Sequence, residues 1–154
     1  MKKLVFTFLV ISSALLSQEQ IFVGTRPLGM GGAFIAVADD GNTITWNPAG
    51  LPRLRRKEFT SSYADLYAMD ISHSYTGIVW PFGDRVAVGF DWSNIGYDDQ
   101  ELNYSENKLN FSLGYQPFKL VSIGGTFKYI SRDMGLDGTS YGKSTGIGYD
   151  LGLL

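Results

Sequence analysis

From residue 57 onward, apolar and polar positions alternate with a period of two. In residues 85–92 the set Val86, Val88, Phe90, Trp92 alternates with Ala87, Gly89 and Asp91. Residues 108–116 set Leu109, Phe111, Leu113 and Tyr115 against Asn110, Ser112, Gly114 and Gln116. Residues 119–131 carry Val121, Ile123, Gly125, Phe127 and Tyr129 on one face, and residues 143–153 carry Thr145, Ile147, Tyr149, Leu151 and Leu153. Side chains point alternately to the two faces of a strand, so this pattern predicts strands with one apolar and one small or polar face. Two earlier stretches, 58–66 and 72–82, are expected as strands with a less regular alternation. Dyad runs of about 9–11 residues are the signature of transmembrane strands.

The connectors have a rhythm too. Pro81-Phe82-Gly83-Asp84 and Gln116-Pro117-Phe118-Lys119 read as tight turns, whereas 94–107 and 133–142 read as longer polar loops. Outer-membrane barrels are strung this way, with the short turns facing the periplasm. Trp80, Phe82, Tyr115 and Phe118 fall near the short turns, and Trp92 and Tyr129 near the longer loops. These six are candidate interfacial girdle residues. A soluble meander or sandwich accounts for the alternation but poorly for the rhythm.

Residues 24–54 differ in kind. Gly29-Met30-Gly31-Gly32 leads into small and apolar residues, then Asp39-Asp40-Gly41-Asn42, then Asn47-Pro48-Ala49-Gly50-Leu51-Pro52. Met30, Ala33, Phe34 and Val37 have helical spacing, although a strand through Ile35 and Val37 is also open. Asn47 before Pro48 reads as an N-cap with proline at the first helical position, giving one turn that Pro52 stops.

The first residues change the picture from sheet to exported sheet. Lys2 and Lys3 precede an apolar run over 4–16, broken by Thr7, Ser12 and Ser13, and polar Gln18-Glu19-Gln20 follows. This is the pattern of a signal peptide cut near Ser17, the run being short of the ~20 apolar residues of a membrane-spanning helix. Composition agrees: Gly 19, Phe 10, Tyr 9 and only 18% charged residues, against a usual ~25%. A net charge of −2 argues against a nucleic-acid partner. The absence of cysteine removes disulfide scaffolds and thiolate metal sites.

The expected fold class is therefore all-β: an antiparallel transmembrane β-barrel, of which about six strands are present, preceded by a small hatch. The expected divisions are a signal peptide (1–17), a hatch segment (18–56) and barrel strands (57–154). Closed barrels have about eight strands or more, so this count implies an N-terminal portion of a longer barrel or strands supplied by other copies. The inward face, paved with Gly, Ala, Ser, Asn and Thr, leaves room for a plug, and 24–54 is the candidate.

Gly29-Met30-Gly31-Gly32-Ala33, then Ala36-Val37-Ala38-Asp39-Asp40, then Trp46-Asn47-Pro48-Ala49-Gly50-Leu51 resemble the N-terminal segment of FadL-like outer-membrane proteins, most closely the PorV/PorQ branch of type IX secretion. The resemblance covers residues 24–52; beyond them only the strand rhythm is shared. It implies a barrel of about fourteen strands with a luminal hatch, and it marks Gly29, Gly31, Gly32, Asp39, Asp40, Asn47, Pro48 and Ala49 as the hatch motif. It also implies a role in protein export or surface attachment, with secretion-system subunits as partners. The alternative within the superfamily is a channel for long-chain fatty acids or other hydrophobic ligands. Outer-membrane lipid is the expected surround, the cell outer membrane the expected location, and no cofactor, metal or catalytic residue is expected.

Other constellations weigh less. The stretch from Asp137 to Ser144 resembles a phosphate-binding loop but has Asp137 where the pattern needs glycine, and it leads into a strand. Asp39 and Asp40 lack the ligand spacing of a calcium loop and read as turn-capping carboxylates, with Lys128 as a candidate partner. His73 and Ser74 are strand neighbours and face opposite ways, so they cannot form a catalytic pair, and His73 reads as a girdle or loop residue. Arg53, Arg55, Arg56 and Lys57 form a basic run open to two readings, a solvated flank or a grip on headgroups or a periplasmic partner. Asp98, Asp99, Glu101 and Glu106 are expected as a surface face of the longer loop.

Overall fold

The computed structural model describes residues 23–66, 68–98, 102–136 and 139–154. The expected signal peptide and its cut near Ser17 lie outside these residues, as do Asp99, Glu101 and Asp137.

Each predicted dyad run forms a strand. They are β1 (Glu58–Leu66), β2 (Ile71–Phe82), β3 (Val86–Asp98), β4 (Leu102–Phe118), β5 (Val121–Leu136) and β6 (Thr139–Leu153). All neighbours are antiparallel and consecutive, giving one six-stranded meander in the order β1 to β6. The sheet is not closed, since among the described residues β1 and β6 each keep one unpaired edge.

The strands at the expected long-loop end run further than the sequence suggested. The expected loop 94–107 is strand on both sides, pairing Asn94 with Asn107 and Asp98 with Asn103, and 133–142 likewise pairs Asp133 with Lys143. The outward apolar run ends there, but backbone pairing continues because polar side chains on the outward face do not interrupt the ladder. Glu106 is consequently no loop-surface residue. It sits inside β4, buried to 8% exposure and bonded to Arg132.

The two faces differ. On the outward face, Phe59, Ile78, Phe90, Phe111, Phe127 and Tyr149 make one unbroken cross-strand row over all six strands. A parallel row holds Phe82, Val86, Tyr115, Ile123 and Leu153, and another holds Trp92, Leu109, Tyr129 and Ile147. Beyond Trp92 the next outward row is polar: Ser74, Asn94, Asn107, Ser131 and Thr145. From the Val86 row to the Trp92 row the apolar band runs about 20 Å along the strands.

The inward face carries residues 23–54, folded as short α1 (Thr25–Gly29), a 3-10 turn (Ala33–Ala36), short α2 (Thr43–Trp46) and a longer 3-10 segment (Pro48–Arg53). The helical spacing of Met30 to Val37 gives only that single 3-10 turn, because Gly31 and Gly32 both adopt left-handed φ (60° and 82°) ahead of it. Ile44, Leu51 and Leu54 form the hydrophobic core with Val79 and Ala87 of the sheet.

Candidate functional site

The site is the contact between residues 23–54 and the inward wall. Its base is a cross-strand row of Ala87, Gly114, Gly124 and Gly152 on β3 to β6. With no side chains in the way, the Pro48–Arg53 backbone lies directly on the sheet. A Cβ at Gly124 would overlap the Pro48 carbonyl carbon and come within 2.5 Å of the Ala49 nitrogen. One at Gly114 would lie 2.5 Å from Pro52 Cδ, and one at Gly89 2.7 Å from Ile44 Cγ1. Interiors have little spare volume, so these glycines are sites of close approach.

Asn47 pins this seat. Its Oδ1 accepts from the Ala49 N–H (3.1 Å), the expected N-cap bond, while its Nδ2 donates to the carbonyls of Ile35 (2.9 Å) and of Leu153 on β6 (3.3 Å). Pro48 opens the 3-10 segment as expected, but Pro52 lies inside it and does not stop it. Pro48 and Ala49 are buried. Trp46 packs edge-on against Phe34 at 6.3 Å, and its Nε1 donates to the Val23 carbonyl.

Asp39 and Asp40 share Arg26. The guanidinium bonds both carboxylates, lies 5.4 Å over the Phe34 ring, and holds the Asp39 carboxyl below its ordinary value. Asp40 also accepts from the Asn42 backbone N–H at 2.9 Å, the turn-capping role expected of it. Lys128, the partner suggested by sequence, pairs instead with Asp150 at 2.8 Å. Of the glycines in the motif, Gly31 and Gly32 provide the left-handed turn, and Gly29 borders open space.

Above the glycine row the wall becomes polar. Asp91 is fully buried and accepts from Thr45 Oγ1 (2.9 Å) and Asn110 Nδ2 (2.8 Å), tying α2 to β3 and β4. Ser112 and Thr126 bond each other at 2.7 Å. Further toward the long-loop end the inward positions are Lys108, Glu106 and Arg132, with Tyr104 Oη donating to Glu106. The wall is thus less uniformly small than its composition implied, and Glu106, Arg132, Asp91 and Arg26 were not singled out as site residues. For the three strand residues the signal was parity: Asp91, Glu106 and Arg132 each occupy an inward position of the dyad.

The girdle candidates lie where the turns put them. Phe82, Tyr115 and Phe118 are outward at the short-turn end, 42–71% exposed, with Trp80 one row in. Trp92 and Tyr129 share the last apolar row at the other end, and Trp92 Nε1 donates to Asn107 in the polar row at 3.2 Å. His73 is not at a girdle or in a loop. It is buried to 4% on the inward face, across the sheet from outward Ser74. Among the described residues no cluster of His, Cys, Asp and Glu could hold a metal ion. Comparison of the chain with protein-family models, curated proteins and solved structures finds no match.

Proposed function

We propose that the six strands are part of an outer-membrane β-barrel and that residues 23–54 form a hatch within it, serving protein export or surface attachment. The observation that carries this reading is the outward apolar band. One face of the sheet is already occupied by 23–54, so the row from Phe59 to Tyr149, 38–71% exposed, has no protein layer over it among the described residues. Soluble proteins rarely expose contiguous apolar patches beyond a few hundred Å². Lipid is the solvent such a face suits, and in lipid the two free edges require further strands, from this chain or another copy, to satisfy their backbone groups.

Within that barrel the hatch is a plug, because its backbone rests on glycines and offers no gap at the Gly114–Gly124–Gly152 row. The remaining inward wall sets Asn110, Lys108, Lys128, Glu106 and Arg132 beside Tyr75, Ile95 and Ile130, and its charged groups make it a costly surface for a hydrophobic ligand to cross. This favours export over passage of fatty acids, as the resemblance of residues 24–52 to the PorV/PorQ branch does. Two experiments test it. Removing 23–54 from the full-length protein should raise single-channel conductance in planar bilayers, and unchanged conductance contradicts the plug. A strain lacking the gene should lose surface-attached proteins and keep fatty-acid uptake; the reverse outcome assigns the chain to transport.

A further inference from the structure

The fold gathers cations from three separate places in the sequence onto one rim. The 3-10 segment and the start of β1 bring Arg53, Arg55, Arg56 and Lys57 there; the β2–β3 turn adds Arg85 and the β4–β5 turn adds Lys119. All six are exposed, and Glu58 and Asp84 accompany them as acids. Arg55 donates to the Asp84 backbone carbonyl at 2.8 Å, which joins the basic run to the β2–β3 turn. Among the described residues the opposite end has the reverse balance: Asp65, Asp70, Glu106 and Asp133 outnumber Lys108, Arg132 and Lys143, with Glu106 bonded to Arg132 and Asp133 to Lys143.

The basic rim also borders the apolar band. Phe82, Phe118 and Leu120 are 59%, 71% and 86% exposed beside it, and Lys57 Nζ sits 3.5 Å over the ring of outward Trp80. Cations one step past an aromatic row are positioned at the depth where lipid headgroups lie. Guanidinium and ammonium groups at that depth suit phosphate, with Arg able to bind it bidentately.

We propose that this rim binds the phosphate headgroups of anionic phospholipids in the leaflet on the short-turn side, and that the acidic end has no such preference. The proposal rests on the membrane reading above, and the two can fail separately. The full-length protein is reconstituted in phosphatidylcholine bilayers containing a minor share of dibrominated phosphatidylglycerol or, in parallel, dibrominated phosphatidylcholine. Tryptophan quenching reports lipid contact, and comparison with Trp80→Phe isolates the signal from Trp80. At low ionic strength phosphatidylglycerol should quench Trp80 roughly threefold more strongly than phosphatidylcholine, a modest share of the gain available from several cations. The preference should fall toward parity in high salt, and Trp92 should show none. Arg53→Gln/Arg85→Gln/Lys119→Gln should lower the preference while leaving phosphatidylcholine quenching unchanged. Equal quenching of Trp80 by both lipids in the unaltered protein overturns the proposal, whatever the variant does. Quenching by neither lipid overturns the membrane reading beneath it.

Discussion

Asn47 and Gly124 show how much of the packing of residues 23–54, the proposed hatch, rests on single positions. Asn47 makes three bonds while nearly buried, so Asn47→Ala leaves the Ile35 and Leu153 carbonyls and the Ala49 N–H without that partner. The expected cost is about 2–3 kcal/mol, seen as earlier release of the hatch in urea. Gly124→Ala pushes a methyl into the Pro48 backbone and should cost about 1–3 kcal/mol by overpacking. Gly146→Ala is the control: its Cβ meets nothing within 4 Å, so the same assay should register no loss. Asp39 supplies a pH signature. Its carboxyl is held below the ordinary value of 3.8 in the folded state, chiefly by the hydrogen bond from Arg26, with desolvation opposing. Its contribution is therefore complete above that value and lost as pH falls through the lowered one. Protease nicking of residues 23–54 should rise only in that acid window, and Arg26→Gln should abolish this component while leaving neutral-pH strand pairing intact.

At the scale of elements, the strands were legible and their lengths were not. Period-two alternation marked the middle of every strand, because there one face is apolar and the other small. Past Trp92 and Tyr129 the outward face turns polar and the clean alternation is lost, so Asn94 to Asp98 and Leu102 to Asn107 looked like loop although backbone pairing persists. In the N-terminal segment the Asn47 cap and Asp40 turn were readable from local chemistry. The Arg26 clip and the Thr45–Asp91–Asn110 bonds were not, because they join positions up to 46 residues apart through tertiary packing. The glycines were seen as a small face, but their match to Pro48 and Ala49 required the cross-strand register. That register predicts a labelling pattern along β6, and the chain has no cysteine of its own to interfere. In liposomes, Lys143→Cys and Thr145→Cys should react with a membrane-impermeant maleimide, whereas Tyr149→Cys and Leu151→Cys should not. Uniform reactivity along the strand would mean that the outward face meets water.

At the scale of the whole molecule, three gradients run along the strands in concert. Outward, an apolar band lies between an aromatic row with a basic rim and a polar row with an acidic end. Inward, glycines carrying residues 48–52 give way to a wall bearing charged groups. A soluble sheet has no reason to align these, whereas a barrel in an asymmetric membrane does, with lipid outside, plug inside and different headgroups at each end. In the proposed barrel the outward face is solvated by lipid. The most direct measurement of this is the migration of the full-length protein, extracted from membranes, on a detergent gel with and without heating. A barrel should require detergent for extraction and should shift in mobility on boiling as the strands come apart. A protein that is recovered from the aqueous fraction without detergent, and migrates identically before and after boiling, would contradict it.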